Sequence, residues 1–188
     1  MVIGVVVLGA LLVVVLGALL SFNRFVRQRQ LVDNSWSNVD TELKRRYDLI
    51  PNLVATVKGY AAHERTTLEA VVQARRDAVD TQGGAAEQAT QENVLVDALK
   101  QLLALREAYP DLKANLEFLD LQRQLTVTED RIQAARRFYN ANVRDYNTRV
   151  ETFPSRLVAG FGHFEKRDYF EVEPAIRAAG APGVELTS

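Results

Sequence analysis

The chain contains no cysteine. This excludes disulfides, thiol catalysis and the cysteine-ligated zinc and iron-sulfur sites. Histidine is almost as scarce, with only His63 and His163, so any metal site would have to be rich in carboxylates. A surplus of charge is lacking as well: 23 Lys and Arg against 24 Asp and Glu leave a formal net charge of -1. Bulk electrostatics therefore gives no reason to expect a nucleic-acid partner. Only five prolines and ten glycines interrupt 188 residues rich in Ala, Leu, Val, Glu, Gln and Arg, a balance that favours helices over sheets.

Charge is missing altogether from Met1 to Leu20 (MVIGVVVLGALLVVVLGALL). About 20 apolar residues at helical rise cross a hydrocarbon core of about 30 Å, so a span from Val2 to about Phe22 is expected. A cleaved signal peptide would show a basic n-region, a shorter apolar run and a small-x-small site ending in Ala. Met1 opens directly on the apolar run and Ala18 to Ser21 offers no such site, so the run reads as an uncleaved signal anchor. The basic residues nearest the span, Arg24, Arg27 and Arg29, all follow it, which predicts an outside N-terminus and a cytoplasmic C-terminal domain. Gly17 and Ser21, with Ala10, could let two anchors approach closely.

Beyond the span, Val32, Trp36, Val39, Leu43, Tyr47, Ile50, Val54, Val57 and Ala61 recur at steps of three and four, the period of an amphipathic helix. No Gly or Pro lies between Phe22 and Ile50, so anchor and first soluble helix are expected to form one rod, with a kink or short break at Pro51. Asp80 to Gln91 reads as a connection, with Gly83-Gly84 as the tip of a helical hairpin. A second helix follows, with Leu95, Val96, Leu99, Leu102, Leu103, Leu105 and Tyr109 on a wide apolar face that can touch two neighbours. Pro110 ends it and suits the first position of the next helix.

A third helix is expected from Ala114 through Phe118, Leu121, Leu125, Thr128, Ile132, Tyr139, Val143 and Tyr146 to Phe153, with a coiled-coil-like period. A helix of that length needs a long antiparallel partner, and the first helix, folding back near Pro51, can supply one. The predicted fold is all-α: an N-terminal transmembrane helix continuous with an elongated antiparallel up-and-down helical bundle. The expected divisions are an anchor over 1–22, a cytoplasmic bundle over 23–174 and a disordered tail over 175–188. In the segment after Phe153-Pro154, Phe161, Phe164, Tyr169 and Phe170 offer large apolar surface. It can pack on the end of the bundle, or meet a membrane or partner.

The sequence spells out no reactive constellation. His63-Glu64-Arg65-Thr66-Thr67 begins like H-E-x-x-H but lacks the second histidine, and no Glu-x-x-His pair is present for a carboxylate-bridged metal. Gly83-Gly84 lacks the context of a phosphate-binding loop. His163 reads as a surface or packing residue. Glu42, Glu64 and Glu69 with Lys44, Arg45, Arg46 and Arg65, and Arg136-Arg137 with Arg144 and Arg149, read as solvated faces. No catalytic, cofactor-binding or metal residue is therefore assigned, and neither an enzyme nor a small-molecule substrate is expected. Asn23, Asn34, Asn38, Asn52, Asn140, Asn142 and Asn147 are numerous for helical positions, and any that faces a seam can set helix register.

Several ordered strings carry a family resemblance: Trp36-Ser37, Leu43-Lys44-Arg45-Arg46, Asp48-Leu49-Ile50-Pro51-Asn52-Leu53-Val54 and Val57-Lys58-Gly59-Tyr60. They continue with Glu107-Ala108-Tyr109-Pro110-Asp111-Leu112-Lys113-Ala114, Ala135-Arg136-Arg137, Tyr139-Asn140, Tyr146-Asn147 and Tyr169-Phe170-Glu171. On these the chain resembles the LemA family of bacterial membrane-anchored proteins over nearly its whole length. The resemblance implies a single N-terminal anchor in the bacterial inner membrane, a cytoplasmic helical bundle and no established enzymatic activity. A relative in magnetosome-forming bacteria, associated with shaping an intracellular membrane, extends the implication to scaffolding. The expected function is a self-associating membrane scaffold or recruiter of protein partners. The alternative is an accessory or signalling subunit that relays a membrane state through a kinked helix.

Overall fold

A computed structural model describes residues 2–172, and every regular element among them is helical. The order is α1 (Val2–Tyr60), α2 (Arg65–Asp80), α3 (Ala85–Ala104), a 3-10 turn at Leu105–Glu107, α4 (Pro110–Ala114), α5 (Leu116–Glu151) and α6 (Ser155–Phe161). The expected division at 174 and the tail over 175–188 lie outside the described residues. Tertiary contacts group the chain into two compact units, residues 2–37 with 138–169 and residues 38–137 with 170–172. The long helices α1 and α5 contribute to both.

The second of these units holds the helical hairpin foreseen at Gly83-Gly84: α2 and α3 pack together on either side of it. Val39, Leu43, Ile50, Leu53 and Val57 of α1 are buried, as are Leu95, Val96, Leu99, Leu102 and Leu103 of α3 and Phe118, Leu121, Leu125 and Ile132 of α5. The α3 set confirms a wide inward face. Within this unit α1 and α5 run antiparallel, since Asn115 before α5 bonds Tyr60 at the end of α1 at 2.9 Å while Glu129 reaches Arg46. After the 3-10 turn, Pro110 stands at the first position of α4, where its missing amide costs nothing.

Two expectations need correction here. The helix does not break at Pro51 but runs on to Tyr60, and the chain reverses at residues 61–64 instead. Proline normally orphans the carbonyl four residues back, which here is that of Tyr47. That carbonyl accepts from Arg75 Nε of α2 at 2.7 Å, while the Pro51 ring faces solvent. A side chain from the neighbouring helix thus replaces the amide that proline removed. The long third helix does not begin at Ala114 either. Asn115 is extended (ψ 123°), and its side-chain oxygen accepts from the Phe118 amide at 2.8 Å, so it caps α5 and separates it from α4.

In the other unit, residues 2–20 are exposed throughout, and this stretch is long and apolar enough to cross a membrane. Just after it, Phe25 is fully buried, stacked on Phe164 at 4.8 Å and edge-on to Tyr146 at 6.2 Å. Phe22 meets Phe164 edge-on at 5.4 Å. Trp36 packs on Tyr139, so α1 and α5 are antiparallel in this unit also. The chain leaves α5 through a cis Phe153-Pro154 bond, forms α6, and turns back at His163. Asn147 then fastens the returning segment by donating to the Arg167 carbonyl (2.8 Å) and accepting from its amide (2.9 Å). Tyr139 donates to the Asp168 carbonyl at 2.9 Å.

A double-mutant cycle tests the Arg75 brace. Arg75→Met is expected to cost about 1.5–3 kcal/mol by urea unfolding of the detergent-solubilised chain, the usual value of a charge-assisted hydrogen bond. In a Pro51→Ala background, where residue 51 regains its amide, the loss should fall by at least half. Equal losses in both backgrounds would show that Arg75 does not compensate for the proline.

Candidate functional site

The most densely connected polar group lies inside the second unit, built on three helices. Arg46 sits on the apolar stripe of α1, three residues after Leu43 and four before Ile50, and its side chain is completely buried. Its guanidinium donates to Glu92 of α3 and, at 3.1 Å, to Glu129 of α5. Both carboxylates are buried. Glu92 also accepts from the Tyr47 hydroxyl and from Gln88 at 2.9 Å. Gln88 reaches on to the Tyr47 hydroxyl oxygen (3.1 Å) and the Ala78 carbonyl (3.0 Å), and Gln133 donates to Glu129 at 2.6 Å.

This overturns the expectation that Lys44-Arg45-Arg46 is a solvated face. Lys44 and Arg45 are exposed and pair within their own helix with Asp40 and Glu42, whereas Arg46 points inward. The reason is helical phase: consecutive side chains differ by about 100°, so a run of three basic residues cannot share one face. Residues 46, 92 and 129 each fall three or four positions from buried apolar neighbours, the sequence signal that identifies them as seam residues.

The network is closed rather than reactive. The carboxylates are held by a guanidinium, amides and a phenol, and neither Arg46 nor Glu92 has any exposed surface. Burial, then the charge of Glu92 and the hydrogen bond to it, raise the Tyr47 phenol well above the ordinary tyrosine value. Burial also pushes Tyr139, in the other unit, up to about 12.

The remaining residues weighed for chemistry are scattered. His63 is exposed in the reversal after α1, and Glu64 accepts from Tyr109 at 3.0 Å. Glu69 is exposed on α2 beside Arg65. Arg136 donates to the Val172 carbonyl, while Arg137 and Arg144 face solvent. His163 has φ 51°, and the next amide, of Phe164, donates to the Ala159 carbonyl at 3.0 Å. That is the six-to-one bond of a Schellman cap, with histidine where glycine is usual. Among the described residues no group of three or more His, Asp and Glu is arranged to hold a metal.

Two outcomes are expected. Arg46→Met should cost about 3–5 kcal/mol, because it strands two buried carboxylates, whereas Arg45→Met should stay within about 0.5 kcal/mol. Chemical denaturation of the two variants side by side measures the contrast. The raised tyrosines stabilise the fold fully below the unfolded tyrosine value of about 10, and this contribution is lost as pH rises through the folded values. The urea midpoint should therefore fall above about pH 10 and fall less in Tyr139→Phe; an identical decline in the variant would refute the Tyr139 contribution.

The profile of the LemA family matches residues 35–185. Magnetosome protein MamQ 2 of Paramagnetospirillum magneticum is 26% identical, over 84% of this chain and 67% of its own length. Magnetosome protein MamQ of Magnetospirillum gryphiswaldense is similar to the same extent, and Protein LemA of Metamycoplasma hominis is 26% identical over 80% of this chain and 66% of its own. None of these names denotes an enzyme. The profile match covers most of the sequence, including every side chain of the buried network, and the chain belongs to the LemA family.

Proposed function

We propose that the chain is a single-pass, membrane-anchored, non-catalytic helical scaffold that self-associates and organises or remodels the bacterial inner membrane, or recruits protein partners there. The observation that carries this reading is the contrast between two ends of the chemistry. The strongest polar cluster is sealed from solvent, while an apolar helix long enough to span a bilayer is left wholly exposed over residues 2–20. In this reading residues 1–22 are an uncleaved signal anchor, and Arg24, Arg27 and Arg29 hold the domain that follows on the cytoplasmic side. The name of magnetosome protein borne by the MamQ relatives is compatible with a membrane-organising role. A relay through a hinge at Pro51 has less support, because α1 continues through that residue.

The absence of cysteine makes topology directly measurable. Leu116→Cys lies at an exposed position and should resist a membrane-impermeant maleimide in intact cells and react after lysis. Labelling before lysis would reverse the orientation. Light scattering of the detergent-solubilised chain should give a mass above one copy, at the full length that an uncleaved anchor requires. A strict monomer, with no crosslinks in cells, would remove self-association from the proposal.

A further inference from the structure

Large apolar side chains are open in this structure at scattered helix positions, but in one place they continue the apolar stretch of α1. Phe153, Leu157 and Phe161 follow one another at intervals of four and are 77%, 58% and 91% exposed. The first precedes α6, and the others lie on it. The opposite side of α6 is the packed one, where Ala159 is buried. On the open side, Leu157 and Phe161 line an apolar groove of about 470 Å³ together with Val13, Val14, Gly17 and Ser21, the last turns of the apolar stretch of α1. Val13 precedes Arg24 by roughly 16 Å at helical rise. That is about half the thickness of a bilayer core, so α6 lies at the level of a single leaflet.

The polar residues change character at the same level. Arg24 and Arg27 follow the apolar stretch, and Arg149 and Arg156 flank the turn into α6. Among the described residues none of the four pairs with a carboxylate, and Glu151, at the end of α5, is taken by Lys166. Arg149 lies over the Phe25 ring at 5.8 Å with its Nε buried and without an acceptor. Burial and the like charge of Arg24 lower its pKa from the ordinary arginine value. Guanidiniums with no carboxylate partner among the described residues, set where an apolar surface ends, are matched to anionic phosphates.

The return path fits a dip into lipid. Gly162 ends α6, and a Cβ there would collide with the Phe164 ring and come within 3.1 Å of Phe22. The chain thus turns tightly under the aromatic cluster, directing Phe161 outward and Phe164, only three residues later, into the core.

We propose that residues 153–162 are a second membrane-embedded element, in which α6 packs against the span and buries Phe153, Leu157 and Phe161 in the acyl region of one leaflet. Arg24, Arg27, Arg149 and Arg156 then ring it at the level of anionic lipid headgroups. The inference rests on the reading of residues 2–22 as a bilayer span, and its test separates the two.

Single cysteines at Val14, Leu157, Phe161 and Leu116 of the full chain can each carry a nitroxide in vesicles of phosphatidylcholine and phosphatidylglycerol. Accessibility to oxygen against a water-soluble nickel chelate reports depth. Positions 14, 157 and 161 are expected to favour oxygen at least fivefold relative to position 116. Water-like values at 157 and 161, with 14 in hydrocarbon, overturn the inference and leave the anchor standing. Water-like values at 14 as well overturn both. For the arginines, a spin-labelled phosphatidylglycerol should be immobilised at least twofold more than the phosphatidylcholine analogue. Arg149→Gln with Arg156→Gln should reduce that preference while position 161 stays buried. No preference in the unsubstituted chain refutes the headgroup contact.

Discussion

One buried guanidinium sets the terms for the unit that contains α2, α3 and α4. Removing Arg46 from water costs several kcal/mol, and the cost is recovered only if its carboxylate partners sit within hydrogen-bonding reach. Glu92 and Glu129 come from two other helices, so α1, α3 and α5 must keep a mutual register that a purely apolar seam would not demand. Sliding any one of them by a turn would leave a charge in the core without a partner. Tyr47, the next residue, extends the same constraint to α2. Its hydroxyl enters the network, and its carbonyl, released by Pro51, takes a bond from Arg75. Two adjacent residues of α1 therefore address all three neighbouring helices.

This explains which parts of the fold were legible in the sequence. The apolar stripes on α1, α3 and α5, the hairpin tip at Gly83-Gly84 and the helix start at Pro110 all follow from local pattern, and each appears in the structure. The continuation of α1 through Pro51 does not, because its cause, Arg75, lies on another helix. The Arg46 network was partly legible. Its members occupy seam positions, but counting apolar residues alone assigns polar seam residues to the surface. Glu129 in particular is overshadowed by Thr128, which fits the stripe equally well and is also buried. Asn147 belongs to the same class: its place among helical asparagines is visible, but its pairing with Arg167 depends on where the chain returns.

The aromatic segment after α5 exposes a different limit of pattern reading. Packing on the bundle and facing outward stand as alternatives for a run containing Phe161, Phe164, Tyr169 and Phe170, yet the chain divides them. Phe164 and Phe170 are buried, Phe161 is almost wholly exposed and Tyr169 is partly so. No helical or strand period gives that division. It arises because α6 ends at Gly162 and His163 takes a left-handed conformation, which reverses the direction of the next side chain.

The distribution of open apolar surface then bears on what water can tolerate. Isolated exposed residues such as Val72, Val79, Val94 and Val127 are ordinary on a soluble helix. A continuous surface formed by residues 2–20 and extended by Leu157 and Phe161 is not, since large contiguous apolar patches mark contacts with lipid or protein. Sealing Phe164 beneath Phe22 and Phe25 while leaving Phe161 outside makes sense if the medium changes between them. On this argument the aromatic cluster closes the water-facing part of its unit, and α6 belongs to the solvent of the span.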